Sequence, residues 1–371
     1  MVKNYNIRIN EISLENYRQF KVFEYVFIKR VNIFKGLTFS GKTSLCDAIR
    51  KVLHFMMLSF FYGFSYRENN KDLFERNIIE SLNDDDIYFK NRQKEKKVSI
   101  TIKGNFFDKN YNLSKSKQRY TENFFDFTKK NWGKLKDRIE EEKEEINKYL
   151  STKQSLNVIY PFFGYYKNTI EKEESKIAEV YGENLLIPYM AYYNSTIEET
   201  NYSFFRSWIR KIFLQAKFSE LHGRKDFEFC RDYLDLITKI SKRIIKEIKN
   251  IDIDELEWDY KRDIFYVVIN EQRKTITEIM GRGYESLYYS IIDIVHRIIR
   301  LNGSDEDIFK ETQGVVILDN FEKFDEKIFE KYVNLISDIF PKIQFFISGN
   351  SFEMKTERKD IDYVDLKIGL F

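Results

Sequence analysis

Gly36-Leu37-Thr38-Phe39-Ser40-Gly41-Lys42-Thr43 decides how this chain is read. The run fits the spacing G-x4-G-K-[ST], and Ser44 follows it. Gly36 and Gly41 let the backbone curl, so that the N–H groups of Thr38, Phe39, Ser40, Gly41, Lys42, Thr43 and Ser44 converge on a phosphate. A helix starting at Lys42 adds the partial positive charge of its N-terminus. The Lys42 ammonium is placed to reach the β- and γ-phosphates, and the Thr43 hydroxyl to ligate Mg²⁺. Read blandly, the run is a chance glycine-rich turn. Against that, residues 31–34 before it form a short apolar strand. After it, Leu45, Ile49, Leu53 and Met56 line one face of a helix. Phe39 is bulky for such a loop and is expected on its outer side.

A site of this kind needs a second strand that ends in a carboxylate. Residues 314–319 (GVVILD) supply a buried apolar run closed by Asp319, which would hold the metal together with Thr43. The bland alternative is a buried strand capped by Asp. Asn320-Phe321-Glu322 follows. An amide takes no proton at neutral pH, so Asn320 is no general base. Either Glu322 or Asp325 polarises the attacking water, or hydrolysis is slow. Lys42, Asp319 and Glu322 are therefore the catalytic candidates.

Around this centre the chain reads as α/β. Residues 7–14, 22–28 and 97–103 alternate like half-buried strands. Residues 158–166 and 185–193 are aromatic, strand-like runs, and 256–258 with 264–269 suggest a hairpin. Helical stripes cover 202–221, 232–250, 284–301 and 326–339, and 343–348 is another buried strand. Strands alternating with helices, with continuous apolar runs in the late strands, predict a largely parallel central sheet. Residues 121–153 are strongly charged around the acidic run 140–145, the pattern of a solvated surface helix.

Composition narrows the classes. The 371 residues carry a net charge of +3, which neither demands nor excludes nucleic acid. The two cysteines have no CxxC spacing and the three histidines, His54, His222 and His296, form no zinc set, so a reduced cytoplasmic setting is expected. No signal peptide is visible. The apolar stretch 55–64 is too short to span a bilayer and reads as the buried end of a helix, so no membrane partner is expected.

At this point the chain resembles a known family. Residues 7–53, with Asn16-Tyr17-Arg18-Gln19-Phe20 between two strands ahead of the loop, look like the opening of ABC-type ATPase heads of the RecF, SMC and OLD group. Three later segments resemble compact AAA-family ATPases without a long coiled coil, among them the Septu-type defence ATPases. They are 280–287 (MGRGYESL), 314–324 (GVVILDNFEKF) and 340–351 (FPKIQFFISGNS). The resemblance implies a P-loop NTPase of the ABC head type. Its N-terminal lobe would span 1–104, a mostly helical insertion 105–223, and a C-terminal lobe 224–371 with the signature-like segment and the carboxylate strand. It also implies ATP and Mg²⁺ as cofactors, Arg18 beside the nucleotide, and Gly283 in a signature segment that closes over the γ-phosphate of another protomer. Gly281 stands where a Ser is usual, Asn350 where a His is usual and Asn320 where a Glu is usual.

Two functions stay open. One is an ATP-gated switch or motor, acting on DNA or in anti-phage defence and controlling a separate effector such as a nuclease. The other is a weakly hydrolysing, nucleotide-bound scaffold for a toxic partner protein. Both imply a homo-oligomer of at least two heads. GTP use is not expected, since no N-K-x-D motif occurs, and a transporter role fits poorly because the signature departs from LSGGQ. Lys239, Arg243, Lys246 and Lys249, with Arg206, Arg210 and Lys211, are candidates for contact with nucleic acid or an acidic partner, against the plainer reading of solvated helix faces.

Overall fold

The computed structural model describes residues 3–4, 6–65, 88–90, 93–94, 97–106, 109–118, 158–168, 191–192, 195–196, 201–222, 226–262, 264–281, 283–305, 307–321, 324–349 and 358–366. In chain order, β1 (Arg8–Tyr17) and β2 (Phe20–Val26) precede β3 (Val31–Lys35), which runs through the glycine loop into α1 (Lys42–Ser65). The hairpin β4 (Lys97–Phe106) and β5 (Lys109–Gln118) follows, then β6 (Phe162–Lys167). Next come α2 (Asn201–His222), α3 (Asp226–Lys249) and the small antiparallel sheet β7 (Glu255–Asp259), β8 (Ile264–Ile269) and β9 (Gln272–Lys274). The chain then runs through α4 (Ile276–Met280), α5 (Glu285–Asn302), α6 (Ile308–Glu311), β10 (Gly314–Asp319), α7 (Glu326–Ile339), β11 (Ile343–Ser348) and β12 (Ile361–Asp365).

The main sheet has the order β6-β10-β11-β3-β12, and every neighbouring pair is parallel. Every residue of β3, β10 and β11 is buried, which is why these strands are mostly apolar on both faces, with Asn32, Lys35, Gln344 and Ser348 as buried polar exceptions in β3 and β11. The fold is thus mixed α/β with a parallel central sheet, as the sequence predicts. Strand β3 and strand β10, which carry the loop and Asp319 at their C-terminal ends, belong to one sheet with β11 between them.

A second, antiparallel sheet has the order β2-β1-β4-β5. β1 buries Ile9, Ile12, Leu14 and Tyr17 against the core. Its register shifts between Ile9 and Glu11. There the buried Gln344 of β11 accepts from Ile9 N (2.8 Å) and donates to Ile9 O (2.8 Å), so a side-chain amide completes the ladder that the bulge breaks. This bond ties the two sheets together.

Several expectations need adjusting. α1 extends to Ser65, beyond the stripe that ends near Met56. The segment 105–223 is not simply a helical insertion: β5 continues the antiparallel sheet, and β6 is an edge strand of the main sheet. The physical reason is that 162–166 is buried without interruption, the mark of a parallel strand covered on both faces. The charged stretch 121–153, most of 185–193, Glu322 and Asn350 lie outside the described residues. Among the described residues no helix is long and apolar enough to cross a membrane.

Candidate phosphate and metal site

The loop between β3 and α1 needs its glycines for two reasons. Gly36 has φ +152° and Gly41 φ +103°, backbone that side chains disfavour. A Cβ on Gly36 would strike Ser40 and the Leu366 carbonyl, and one on Gly41 would strike Gln19 and Phe20. Phe39 has φ +67° and is 93 % exposed, on the outer side of the loop as expected. Thr38 is exposed beside it. The Lys42 ammonium folds over the loop and donates to Gly36 O (2.6 Å) and Leu37 O (3.1 Å). Ser40 Oγ is buried inside the loop without a hydrogen-bond partner, an orphan that a bound anion or water would satisfy. Ser44 Oγ donates to Gln19 Oε1 (2.9 Å), which pins the Arg18-Gln19 turn to the start of α1.

Asp319 closes β10 and is fully buried. Its Oδ1 accepts from Thr43 Oγ1 (3.1 Å) and from Asn320 N (3.0 Å), and its Oδ2 accepts from Tyr165 OH (3.0 Å). Burial pushes its carboxyl above the usual range, while the bonds from Tyr165 and Thr43 and the charge of Lys167 pull it back only in part. A buried carboxylate and a hydroxyl at hydrogen-bond distance are hard oxygen donors of the kind that Mg²⁺ takes. Lys42, Thr43 and Asp319 are therefore brought together, from opposite ends of the chain.

Asn320 adopts φ +63°, a left-handed conformation that Asn tolerates better than most residues. Its N–H also donates to Ser348 Oγ (2.6 Å). This position thus has a backbone use that Glu would serve less well. Asp325, the alternative base, is the N-cap of α7. Its Oδ1 accepts from Ile328 N (3.0 Å) and its Oδ2 from Tyr284 OH (3.2 Å), so both oxygens are committed to holding structure.

Arg18, also at positive φ, sends its guanidinium to Asp47 Oδ2 on α1 (2.6 Å). Asp47 collects Tyr17 OH (2.8 Å), Arg50 Nε (2.9 Å) and Lys51 Nζ (3.5 Å) as well. Burial raises its pKa, but Arg50, Arg18 and Lys51 outweigh burial and hold it below the ordinary carboxylate value. The sequence reading missed Asp47. Its position one helical turn after Thr43, in a stretch of α1 buried on every side, is visible only in the structure.

Gly281 (φ +88°) and Gly283 (φ +94°) lie between α4 and α5, and among the described residues nothing comes within 4 Å of where a Cβ would stand on either. Gly283 N donates to Glu285 Oε2 (3.1 Å). On the candidate basic face of α3, Arg243 reaches Asp338 (3.6 Å), Lys246 reaches Asp252 (2.5 Å) and Lys249 lies over the Tyr284 ring (5.1 Å). These three charges have uses within the chain.

No protein-family model matches the chain, and no curated protein matches it. Two solved structures are similar to it over nearly all of both chains. One is the recombination mediator protein RecF with ATP, 14 % identical, with 98 % of this chain and 98 % of that chain covered and a TM-score of 0.38. The other is the same protein with ATPrS, 13 % identical, with 100 % and 98 % covered and a TM-score of 0.38. Likeness at that level carries no weight on what this chain binds, which rests on the site itself.

Proposed function

We propose that this chain is an ATP-binding ABC-type ATPase head. It holds Mg²⁺–ATP between the Gly36–Ser44 loop and Asp319, and acts as a nucleotide-gated switch in a DNA-related process. One observation carries this reading: Thr43 Oγ1, in the first turn of α1, and Asp319 Oδ1, at the end of β10, stand 3.1 Å apart beside a loop whose two glycines leave no room for a Cβ. In the loaded site Lys42 and the loop N–H groups other than that of Ser40, which donates to Leu37 O (3.0 Å), would bind the phosphates, while Thr43 and Asp319 would hold the cation. The metal would supply charge neutralisation on the phosphate oxygens. Lys42 would exchange its bonds to Gly36 O and Leu37 O for phosphate oxygens.

Slow turnover belongs to the same proposal. Asn320 is no base and Asp325 caps α7, which leaves Glu322 as the remaining candidate; turnover is slow unless Glu322 takes that role. That favours a switch or a nucleotide-bound scaffold over a fast motor. A role in anti-phage defence, control of a separate effector and assembly as a homo-oligomer extend the proposal and are supported by the resemblance of 280–287, 314–324 and 340–351. Equilibrium binding of a fluorescent ATP analogue tests the core of it. Wild-type protein binds in Mg²⁺, and Lys42→Ala weakens binding by about a hundredfold or more, since a charge-assisted contact to phosphate is lost from a preformed cradle. Equal affinity in the two proteins refutes the reading.

A further inference from the structure

Tyr165 and Tyr166 are neighbours on β6 and point to opposite faces of the sheet, as strand alternation dictates. Both are buried. Tyr166 OH donates to Asp293 Oδ2 on α5 (2.8 Å), a carboxylate that also accepts from Arg297 Nε (2.6 Å). Tyr165 OH donates instead to Asp319 Oδ2 (3.0 Å). Tyr165 is itself fixed on three sides. Its strand pairs in register with β10, with Lys167 opposite Asp319. Its N–H donates to Ser195 O (2.7 Å), and the Arg50 guanidinium lies over its ring at 5.3 Å. Just beyond, Asn168 N donates to Asp319 O (2.9 Å), so the end of β6 grips both the main chain and the side chain of Asp319.

We propose that Tyr165 is a positioning residue for Asp319: by occupying Oδ2 from the β6 side, its hydroxyl turns Oδ1 toward Thr43 and fixes the oxygen pair that receives the cation of a magnesium nucleotide. The inference rests on the nucleotide reading above. A buried carboxylate with one oxygen unsatisfied either rotates about its terminal torsion, which has a broad energy well, or draws in another donor. Rotation takes Oδ1 away from Thr43 against the pull of Asn320 N, and a water drawn to Oδ2 holds it less firmly than a hydroxyl fixed on a strand. Phe at 165 would keep the ring beneath Arg50 and remove only this donor.

The test titrates the full chain with a fluorescent ATP analogue, once in Mg²⁺ and once in EDTA. Wild type is expected to bind more tightly in Mg²⁺. Tyr165→Phe should lose about tenfold of that gain, the size expected for one hydrogen bond to a charged group, with affinity in EDTA unchanged. Tyr166→Phe should keep the whole gain and lower only the melting temperature. A folded Tyr165→Phe with the full Mg²⁺ gain overturns the proposal. So does an equal loss in Mg²⁺ and EDTA, which would mark general damage. If Tyr165→Phe does not fold, 4-fluorophenylalanine at 165, which fills the hydroxyl's place without donating, replaces it, and an unchanged Mg²⁺ gain then overturns the proposal. Absent binding by wild type, or no gain from Mg²⁺, would sink the nucleotide reading first and this one with it.

Discussion

The loop after β3 and the turn before α5 both bend through glycines at positive φ, and they use them in opposite ways. At Gly36 and Gly41 a side chain would collide with the protein's own atoms. At Gly281 and Gly283 it would meet open space. Around the loop, Lys42, Thr43, Ser44, Asp319 and Asp47 are already bonded within the chain. At the turn, the Gly283 N–H donates to the neighbouring Glu285 carboxylate on the exposed surface. One region is shaped from inside by packing. The other keeps its glycines for backbone reasons alone and stays approachable from outside.

Three experiments break or sharpen this contrast. The largest effect is expected at Asp47. Asp47→Asn leaves Arg18, Arg50 and Lys51 around a neutral group and should cost about 3 kcal/mol in chemical denaturation. Because its folded pKa lies below the unfolded value of about 3.9, the stability that Asp47 contributes is complete above about pH 4 and is lost as pH falls through the folded value. The mutant's melting profile should therefore be flatter below pH 4 than that of wild type. A mutant as stable as wild type would mean that the inside of the loop region is not held by this cluster.

Gly283→Arg comes next. The positive φ alone should cost about 1–2 kcal/mol. ATP affinity should stay unchanged, while any ATP-dependent self-association seen by mass measurement in solution should disappear. Association that survives the substitution would place the contact elsewhere. The smallest effect is expected at Asn320→Glu, about 1 kcal/mol or less of stability from the left-handed backbone. Wild-type turnover should fall below about 1 per second, and the substitution should raise it. A fast wild-type rate would show that the site has its base without Asn320.

Local pattern was enough for much of this. The strand at Gly314–Asp319, the helix at Glu326–Ile339 and the strand at Ile343–Ser348 fall where their apolar runs and terminal carboxylate predict. So does the loop, whose glycines carry their own steric signature. What stayed hidden is pairing between distant parts. Nothing near Gln344 announces that its amide closes the ladder at Ile9, more than three hundred residues away. Tyr165 reads only as one aromatic in a strand-like run, because its partner Asp319 lies more than a hundred residues further along. The placement of Phe162–Lys167 in the main sheet was open to inference from its unbroken apolar character, but that run also suits a strand in a separate insertion. Asp47 was passed over because a single carboxylate on a helix carries no spacing signal.

Strand β3 has one further consequence, for the order in which the molecule is completed. Both of its neighbours, β11 and β12, are made of residues later than 342. Leu366 N closes on Lys35 O (2.8 Å), and the Leu366 carbonyl is part of the wall against Gly36. During synthesis the phosphate cradle therefore emerges early but stays without either flanking strand until more than three hundred further residues have left the ribosome. Contacts at such separation are slow to form, and unpaired edges in the meantime invite the wrong partners. A nascent chain of this protein would enclose its glycine loop only after β11 and β12 have been made.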